Sequence, residues 1–288
     1  SSDLTTGMSW NWGWLLGLGW LLCGSLSAQT ESPAAGAPQA APAEWEHFIE
    51  SAGVALVLDQ ANDLIEQEIR NLEKAPLGFT PQQLVTLRNQ FRQQLGPEQL
   101  KQDIVRRLQR DFSPQQRAEL QAVLASSKLQ QLQTLQQQLD DASVRRAVRA
   151  YRLKVMENSP NQQRLELLAA LDQQLQQSAL ETELKVELRK QLLATVSHLK
   201  ASESFSEAML EDQLQEYRAT VEGEISENAL FAYLYLLKRT PSTTVRDLVV
   251  SLDQPAFDAF MALCVAAVQA SFRDAREQML EDVQLAGN

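Results

Sequence analysis

Cysteine, histidine, glycine and proline are all scarce in this sequence of 288 residues. Two cysteines are too few for a disulfide framework. Only 11 glycines and 10 prolines occur, while the helix formers leucine, glutamine, alanine and glutamate dominate. Strand-favouring isoleucine, tyrosine and phenylalanine are also sparse. We therefore predict an all-α fold, a multi-helix bundle of about ten helices in two packed helical subdomains.

Positively charged residues are outnumbered by negatively charged ones. Lysine and arginine total 26 against 37 aspartates and glutamates, so the net charge is −11. With its cations scattered, an acidic chain of this kind has no electrostatic footprint for nucleic acid or anionic lipid. We predict no nucleic-acid partner, and the acidity indicates solubility.

Catalytic motifs are missing as well. The sequence has no Gly-rich phosphate loop, no G-x-S-x-G and no H-E-x-x-H. Neither His47 nor His198 has a second ligand at metal-binding spacing. The carboxylates are spread as helical partners of Lys and Arg, and Glu183, Glu187 and Lys190 predict a solvated face. We predict no catalytic residue, no cofactor and no metal, and therefore no enzyme.

The first apolar run, WNWGWLLGLGWLL at residues 10–22, carries no charge. It is shorter than the roughly 20 residues of a membrane span. Small residues and then polar Gln29 follow, which is typical of a cleaved secretory signal peptide. We predict a signal peptide at 1–28, cleavage between Ala28 and Gln29, a periplasmic protein, and no stable membrane span after cleavage.

An uncleaved membrane anchor is the alternative, because only Asp3, and no Lys or Arg, precedes the apolar run. Residues 1–7 are then a candidate upstream extension, with Met8 as the start. Lipidation at Cys23 is excluded because bulky Leu22 precedes it.

The predicted domain order continues from the leader with a disordered Pro/Ala linker at residues 29–44. An N-terminal helical subdomain follows at 45–200 and a C-terminal helical subdomain at 201–288. The mature chain keeps one cysteine, Cys264. It stands in the apolar run FMALCVAAV, which favours a small core residue over a nucleophile.

Two nearly identical pentamers, FTPQQ at 79–83 and FSPQQ at 112–116, stand 33 residues apart. Thr80 and Ser113 are suitable N-caps, each followed by Pro at the first helical position. Gln three residues after the cap completes a capping box. The residues beyond the pentamers do not match, and no repeat signature occurs at this period, so we interpret the pentamers as helix starts and not as a solenoid.

Further helix starts are indicated by Phe205-Ser206, Ile225-Ser226 and Asn158-Ser159-Pro160. The predicted helices are 45–74, 80–95, 97–110, 113–139, 141–157, 161–178, 180–200, 206–222, 226–239, 242–252 and 255–283.

Two kinds of helix surface stand out. A narrow leucine seam at 129, 132, 135 and 139 in Gln-rich sequence predicts packing along one edge, within the chain or in a short coiled coil with a partner. The stretches 230–237 and 257–272 are instead apolar nearly all round, which predicts burial on most faces. We expect these two stretches to form the core of the C-terminal half.

The stretch FIESAGVALVLDQANDLIEQEI, followed by IVRRLQRDFSPQQRAELQAVLASSKLQQL, resembles the exported bacterial helical family catalogued as domain of unknown function 2059. The resemblance covers residues 46–140, and ISENALFAYLYLLKRTPSTT resembles a degenerate second copy within 205–275. The matching positions are caps and core, with a helix stop at Ser127, but the family's Gly after that stop is absent. The resemblance implies an exported helical fold and supplies no catalytic residues.

The least common cluster surrounds the helix break at Pro241. Tyr233 and Tyr235 lie in an otherwise apolar helix, and Arg239, Arg246 and Asp247 flank the break. A buried tyrosine needs a hydrogen-bond partner, which Arg246 or Asp247 could supply. Alternatively, these residues form the rim of an apolar pocket for an acyl or other anionic tail.

Two functions follow from these features. The first is a cell-envelope protein-interaction module, suggested by the leucine seam and the lack of catalytic motifs, with another envelope protein as partner. The second is a carrier of small apolar or acyl-chain ligands in a pocket of the C-terminal helices. A cavity between 226–239 and 255–283 would favour the carrier.

Overall fold

The structure is a computed structural model that describes residues 41–75, 77–157, 161–201 and 206–286. The side chains of residues 200, 201, 207 and 279–286 are outside this description. The predicted signal peptide with its cleavage site at Ala28 and Gln29, most of the predicted linker, and the predicted helix start at 158–160 therefore lie outside the described residues.

The described residues form α-helices joined by short connections, and no strand occurs among them, which confirms the all-α prediction. A 3-10 turn follows α7 at Gln138–Asp140. The helices are α1 (Pro42–Ser51), α2 (Val54–Leu58), α3 (Ala61–Lys74), α4 (Pro81–Leu95), α5 (Pro97–Asp111), α6 (Pro114–Leu124), α7 (Ser127–Gln137), α8 (Ala142–Glu157), α9 (Gln162–Leu175), α10 (Gln177–Ala201), α11 (Glu207–Leu236), α12 (Ser242–Leu252) and α13 (Pro255–Ala286).

Both pentamers are helix starts, as predicted. The backbone N–H of Gln83 donates to the Thr80 hydroxyl at 3.2 Å, and the Gln83 side-chain oxygen accepts from the Thr80 N–H at 2.9 Å. Ser113 and Gln116 repeat this reciprocal pair at 3.2 and 3.0 Å. Each pair satisfies two of the helix-end groups that have no partner within the helix.

The predicted long helix at 45–74 is wrong. Helix α1 ends at Ser51, and Gly53, which has φ 73°, turns the chain before α2. The chain turns again at Asp59 and Gln60 before α3. A glycine in the left-handed region just after a helix is a common terminator. Apolar residues recur at helical spacing on both sides of these breaks, at Phe48, Ile49 and Ala52 and again at Leu64, Ile65 and Ile69, so periodicity alone does not reveal the breaks.

The predicted helix at 113–139 is also divided. Ala125 and Ser126 separate α6 from α7, close to the stop that the family resemblance placed at Ser127. The predicted break near residue 179 lies instead at Gln176, which adopts a left-handed conformation with φ 54°.

The predicted helix start at Ser226 is wrong, because α11 runs without interruption from Glu207 to Leu236. Leu214, Val221 and Ile225 are buried at helical spacing along it. Ile225 therefore belongs to a continuous buried stripe and is not a residue that precedes a cap. The cap predicted at Ser206 is present, since its hydroxyl accepts from the Met209 N–H at 3.2 Å.

Helix α10 lies at the centre of the packing and contacts α2, α3, α9, α11 and α13. Helix α13 contacts α4, α5 and α6 as well as α10. All described helices belong to one compact unit. Helix α13, from the predicted C-terminal subdomain, thus packs against helices of the predicted N-terminal subdomain, and the division at residue 200 stays a prediction.

The prediction of a solvated face around Glu187 is wrong. Glu187 and Lys190 are each only 5% exposed, because α11 and α13 cover this side of α10. A guanidinium nitrogen of Arg276 on α13 lies 2.8 Å from a Glu187 carboxylate oxygen. Lys190 extends to Glu211 on α11, with Nζ 3.1 Å from the carboxylate.

The predicted burial of 257–272 is confirmed, since Phe257, Phe260 and Phe272 are at most 1% exposed. The stretch Pro255–Gln278 is, by length and composition alone, apolar enough to cross a membrane, but 56% of its apolar segment is buried inside the protein, as in the core helix of a soluble protein. By contrast, the stretch 230–237 is only partly covered, with Tyr233, Leu234 and Leu237 buried and the rest half-buried.

The leucine seam packs within the chain. Leu129 and Leu132 are at most 1% exposed, and α7 contacts α12. A coiled coil with a partner through these two leucines would first require the core to open.

Candidate ligand-binding groove

A groove of about 850 Å³ lies where α9, α10, α11 and α13 meet. On two sides it is bounded by Ser226 to Leu230 of α11 and by Ala262 to Gln269 of α13. This is the place where a cavity was expected to distinguish a carrier from a protein without a pocket. Its lining residues are Ala169, Asp172, Gln173, Gln176, Ser178, Ala179, Thr182, Glu183, Arg218, Glu222, Ser226, Glu227, Leu230, Ala262, Val265, Ala266 and Gln269.

The apolar part of the groove is built from small side chains on facing helices. Ala169, Ala179, Ala262 and Ala266 line it and are exposed. The lining positions of α13 follow the spacing 262, 265, 266 and 269, which places them on one face of the helix. Because alanine projects only a methyl group, this face leaves room for a ligand between the helices.

Arg218, the one arginine among the described lining residues, is already paired with carboxylates. Arg218 pairs with Glu183, and its other nitrogen lies 3.5 Å from Glu211. Glu183 also accepts a hydrogen bond from the Gln269 side-chain amide at 3.0 Å. Glu227, a further lining carboxylate, pairs with Arg152 of α8 at 2.8 Å.

Asp172 is different, because no basic side chain pairs with it among the described residues. Its carboxylate accepts a hydrogen bond from the Ser178 hydroxyl at 2.7 Å. Burial raises the pKa of Asp172, and this hydrogen bond only partly opposes the shift. The half-buried carboxylate at the α9–α10 junction thus makes this part of the groove electronegative.

A buried polar chain adjoins the groove at Ser178. The Gln177 amide donates to the carbonyl oxygen of Ala52 at 2.9 Å, and its oxygen accepts from the Gln136 amide at 2.7 Å. The same Gln136 nitrogen lies 3.3 Å from the Tyr233 hydroxyl. This chain of donors fixes the orientation of both amides and leaves the Gln136 oxygen buried without a partner.

Gln136, Gln177 and Tyr233 also line a smaller cavity of about 250 Å³, to which Ser178 contributes as well. Burial raises the pKa of Tyr233, and the negative charges of Asp172 and Glu181 raise it further. Tyr233 is therefore a neutral hydrogen-bonding group at neutral pH.

None of the five residues predicted as a pocket rim lines the groove. Tyr233 is buried, but its hydroxyl lies 3.3 Å from the Gln136 amide nitrogen, so the predicted hydrogen bond to Arg246 or Asp247 is not the one that it makes. Tyr235 packs edge-to-face on Tyr151 with ring centroids 5.7 Å apart.

The remaining predicted rim residues are on the surface. Arg239, Arg246 and Asp247 are exposed, and Asp247 accepts a hydrogen bond from Lys128 at 2.8 Å. The helix break at Pro241 is held by Arg164 of α9, which donates to the carbonyl oxygens of Leu237 and Thr240 at 2.8 and 3.1 Å.

Sequence reasoning missed a basic surface on α8. This helix holds five cations and one carboxylate within ASVRRAVRAYRLKVME. Its outward face carries Arg146 and Arg149, which have no ion-pair partner in the part of the chain that the structure describes, beside Leu153 and Met156, which are 66% and 63% exposed. We call these four residues the α8 face. The run RRAVRAYRLK could have revealed it, but we treated the cations as scattered.

Among the residues that the structure describes, no group of three His, Cys, Asp or Glu side chains is placed to hold a metal ion. Cys264 is fully buried, and burial raises the pKa of its thiol, so it is a core residue as predicted. The absence of enzymatic activity stays a prediction.

No protein-family model, curated protein or solved structure matches this chain. The similarity to domain of unknown function 2059 therefore remains a resemblance carried by the residues quoted above.

Proposed function

We propose that this protein acts by binding, and that the groove holds a small ligand with an apolar body. The observation that supports this is the groove itself, between the two helical stretches where a pocket would favour a carrier. Its volume of about 850 Å³ lies within the roughly 300–1,000 Å³ of small-molecule sites. Four exposed alanines provide apolar contact, and hydrogen-bonding groups at the rim could orient a polar end.

The first experiment is titration of the purified protein with a neutral probe, 1-dodecanol, followed by native mass spectrometry. Ala266→Trp places an indole in the groove and should abolish the complex. Ala122→Trp, at an exposed position of α6 outside the groove, is the matched control and should bind like the parent. If the parent binds neither 1-dodecanol nor its charged analogues of the same chain length, or if a folded Ala266→Trp variant binds unchanged, the groove is not the site.

A second candidate function is docking of another envelope protein, and the α8 face favours it. Leu153 and Met156 expose apolar surface, and Arg146 and Arg149 are free to pair with acidic residues of a partner. In a chain of net charge −11, this concentration of cations selects an acidic partner surface.

The corresponding experiment is affinity capture from an envelope extract with the parent and two variants. Arg146→Glu/Arg149→Glu should lose the partner, whereas Arg70→Glu/Arg273→Glu changes the charge equally at exposed positions on α3 and α13 and should retain it. A partner that tolerates the first variant would show that the α8 face is not the docking surface.

We also propose that the protein is exported to the periplasm and is not an enzyme. The leader pattern at residues 10–29 supports export. Periplasmic protein should begin at or within a few residues of Gln29, whereas intact protein beginning at Met8 in the membrane fraction would favour the anchor. Activity in a broad hydrolase screen would contradict the non-enzymatic proposal.

A further inference from the structure

We propose that the ligand of the groove carries a positively charged amine at one end, and that Asp172 binds it. This inference rests on the proposed function and narrows the class of ligand. It reverses the expectation from the sequence, in which arginines at a pocket rim would have selected an anionic tail.

The groove has an excess of negatively charged side chains. Its lining includes four carboxylates and one guanidinium. The guanidinium belongs to Arg218, which is paired with Glu183 and approaches Glu211. A carboxylate or phosphate on a ligand would therefore find no unpaired cation among the described lining residues and would be repelled by the surplus acids.

Asp172 is the lining carboxylate best placed to bind an amine. One carboxylate oxygen is held by the Ser178 hydroxyl at 2.7 Å, so the group is oriented before a ligand arrives. No basic side chain accompanies it in the described part of the chain. Glu222 is the other lining carboxylate without a paired cation, and it is exposed to solvent. Because Asp172 is more buried, it gains more from a cationic partner.

The groove that Asp172 lines also has an apolar wall. Ala262, Val265 and Ala266 of α13 face Leu230 of α11 across the same groove that Asp172 lines. A ligand with an ammonium group at Asp172 could therefore extend an apolar tail along these residues. The matching chemical class is an alkylamine or another amine with a long apolar body.

The test compares three probes of equal chain length at concentrations where they are monomeric: dodecylammonium, 1-dodecanol and dodecanoate. Dodecylammonium should bind at least about tenfold more tightly than the alcohol, because a charge-assisted hydrogen bond adds to the same apolar contact. Dodecanoate should bind more weakly than the alcohol. The advantage of the amine should decrease as salt is added, since screening weakens an ionic contact.

Asp172→Asn should remove the amine's advantage, so that this variant binds dodecylammonium no more tightly than 1-dodecanol. Asp63→Asn is the matched control, because it changes the net charge equally at an exposed position of α3. It should bind all three probes like the parent.

The outcomes separate this inference from the proposed function. If dodecanoate binds as tightly as dodecylammonium, the ligand class is wrong while the groove remains a binding site. If the amine is preferred equally by Asp172→Asn, Asp172 is not its partner. If none of the three probes binds, the proposed function fails and this inference fails with it. Should the Asn variant not fold, the salt dependence in the parent still decides whether the preference is ionic.

Discussion

The side-chain amide of Gln177 occupies the space beside Gly53 that the β-carbon of any other residue would need. Gln177 begins α10, and Gly53 lies between α1 and α2, so 124 positions of sequence separate them. The amide donates to the carbonyl oxygen of Ala52 at 2.9 Å. This contact joins the N-terminal helix break to the central helix and requires glycine for two reasons, the left-handed backbone and the close approach.

Gly53→Ala should therefore destabilise the protein more than Gly78→Ala. Both glycines have positive φ, 73° and 65°, and both substitutions incur about 1–2 kcal/mol of backbone strain. Only Gly53 has a neighbour within 4 Å of the added methyl group. There the substitution also displaces Gln177 and leaves buried polar groups unsatisfied, at a further cost of roughly 1–3 kcal/mol. Urea unfolding followed by circular dichroism measures both changes.

Gly223→Ala is the control for this series. Gly223 lies within α11, and its added methyl group would meet nothing within 4 Å. Replacing a glycine in a helix interior with alanine should raise the free energy of unfolding by about 0.5–1 kcal/mol. Equal losses from Gly53→Ala and Gly78→Ala would contradict the role assigned to Gln177.

The ion pair between Glu187 and Arg276 gives a second prediction, because both side chains are buried between α10 and α13. Arg276→Met should lower the free energy of unfolding by roughly 3–5 kcal/mol, since it removes from a buried carboxylate the guanidinium that lies 2.8 Å from it. Adding Glu187→Leu to this variant should restore part of the loss, since the buried carboxylate that lost its guanidinium is then removed.

A surface pair shows what burial contributes. Lys128→Met breaks the contact with Asp247, but both side chains are exposed, so the change should be about 1 kcal/mol or less. A similar loss from Lys128→Met and Arg276→Met, measured by urea unfolding, would count against a special role for the buried pair.

The predictable part of the fold is the part encoded locally. Thr80 and Ser113 reveal helix starts because the cap, the proline and the glutamine that accepts the return hydrogen bond lie within four residues. The Gly53 break is less visible, since it depends on a left-handed turn and on Gln177 far along the chain. The helix start predicted at Ser226 is wrong because the local pattern there resembles a cap, whereas the buried stripe through Val221 and Ile225 continues the helix.

The candidate site was predictable only as a region. The sequence offered a pocket between 226–239 and 255–283 as one of two alternatives, whereas the lining residues Asp172 and Arg218 come from α9 and the first half of α11. No periodicity brings such distant positions together. Likewise, α10 contains many polar residues, and its burial follows only from the helices that cover it. Glu187 therefore looked solvated in the sequence.

The caps themselves supply a third prediction. Ser113→Ala should cost about 0.5–2 kcal/mol, because the N–H of Gln116 loses its acceptor, and Ser113→Asp should be nearly neutral. Ser226→Ala is the matched control, since this serine follows a similar local pattern but lies within α11. It should leave stability unchanged or raise it slightly, given alanine's higher helix propensity. Urea unfolding of the three variants beside the parent tests this, and a loss for Ser226→Ala as large as that for Ser113→Ala would contradict the uninterrupted helix.

The last prediction concerns pH. Burial raises the pKa of Asp172 above its ordinary value of 3.8, so the folded state binds a proton more readily there than the unfolded state does. The stabilisation from this proton is complete below the ordinary pKa and is lost as the pH rises through the raised one. Asp172→Asn should consequently unfold at higher urea concentration than the parent at pH 7, and this advantage should vanish as the pH approaches 3.8.

Asp141→Asn provides a control of opposite sign. Hydrogen bonds from Ser143 lower the pKa of Asp141, so its charged form stabilises the folded state at neutral pH and ceases to do so as the pH falls through the lowered value. The Asn variant should therefore be less stable than the parent at pH 7 and should converge with it in acid. Urea midpoints of both variants between pH 3 and pH 8 measure the two slopes. If Asp172→Asn behaves like Asp141→Asn, the carboxylate in the groove is stabilised by a partner, and it is not the unpaired group that an amine would bind.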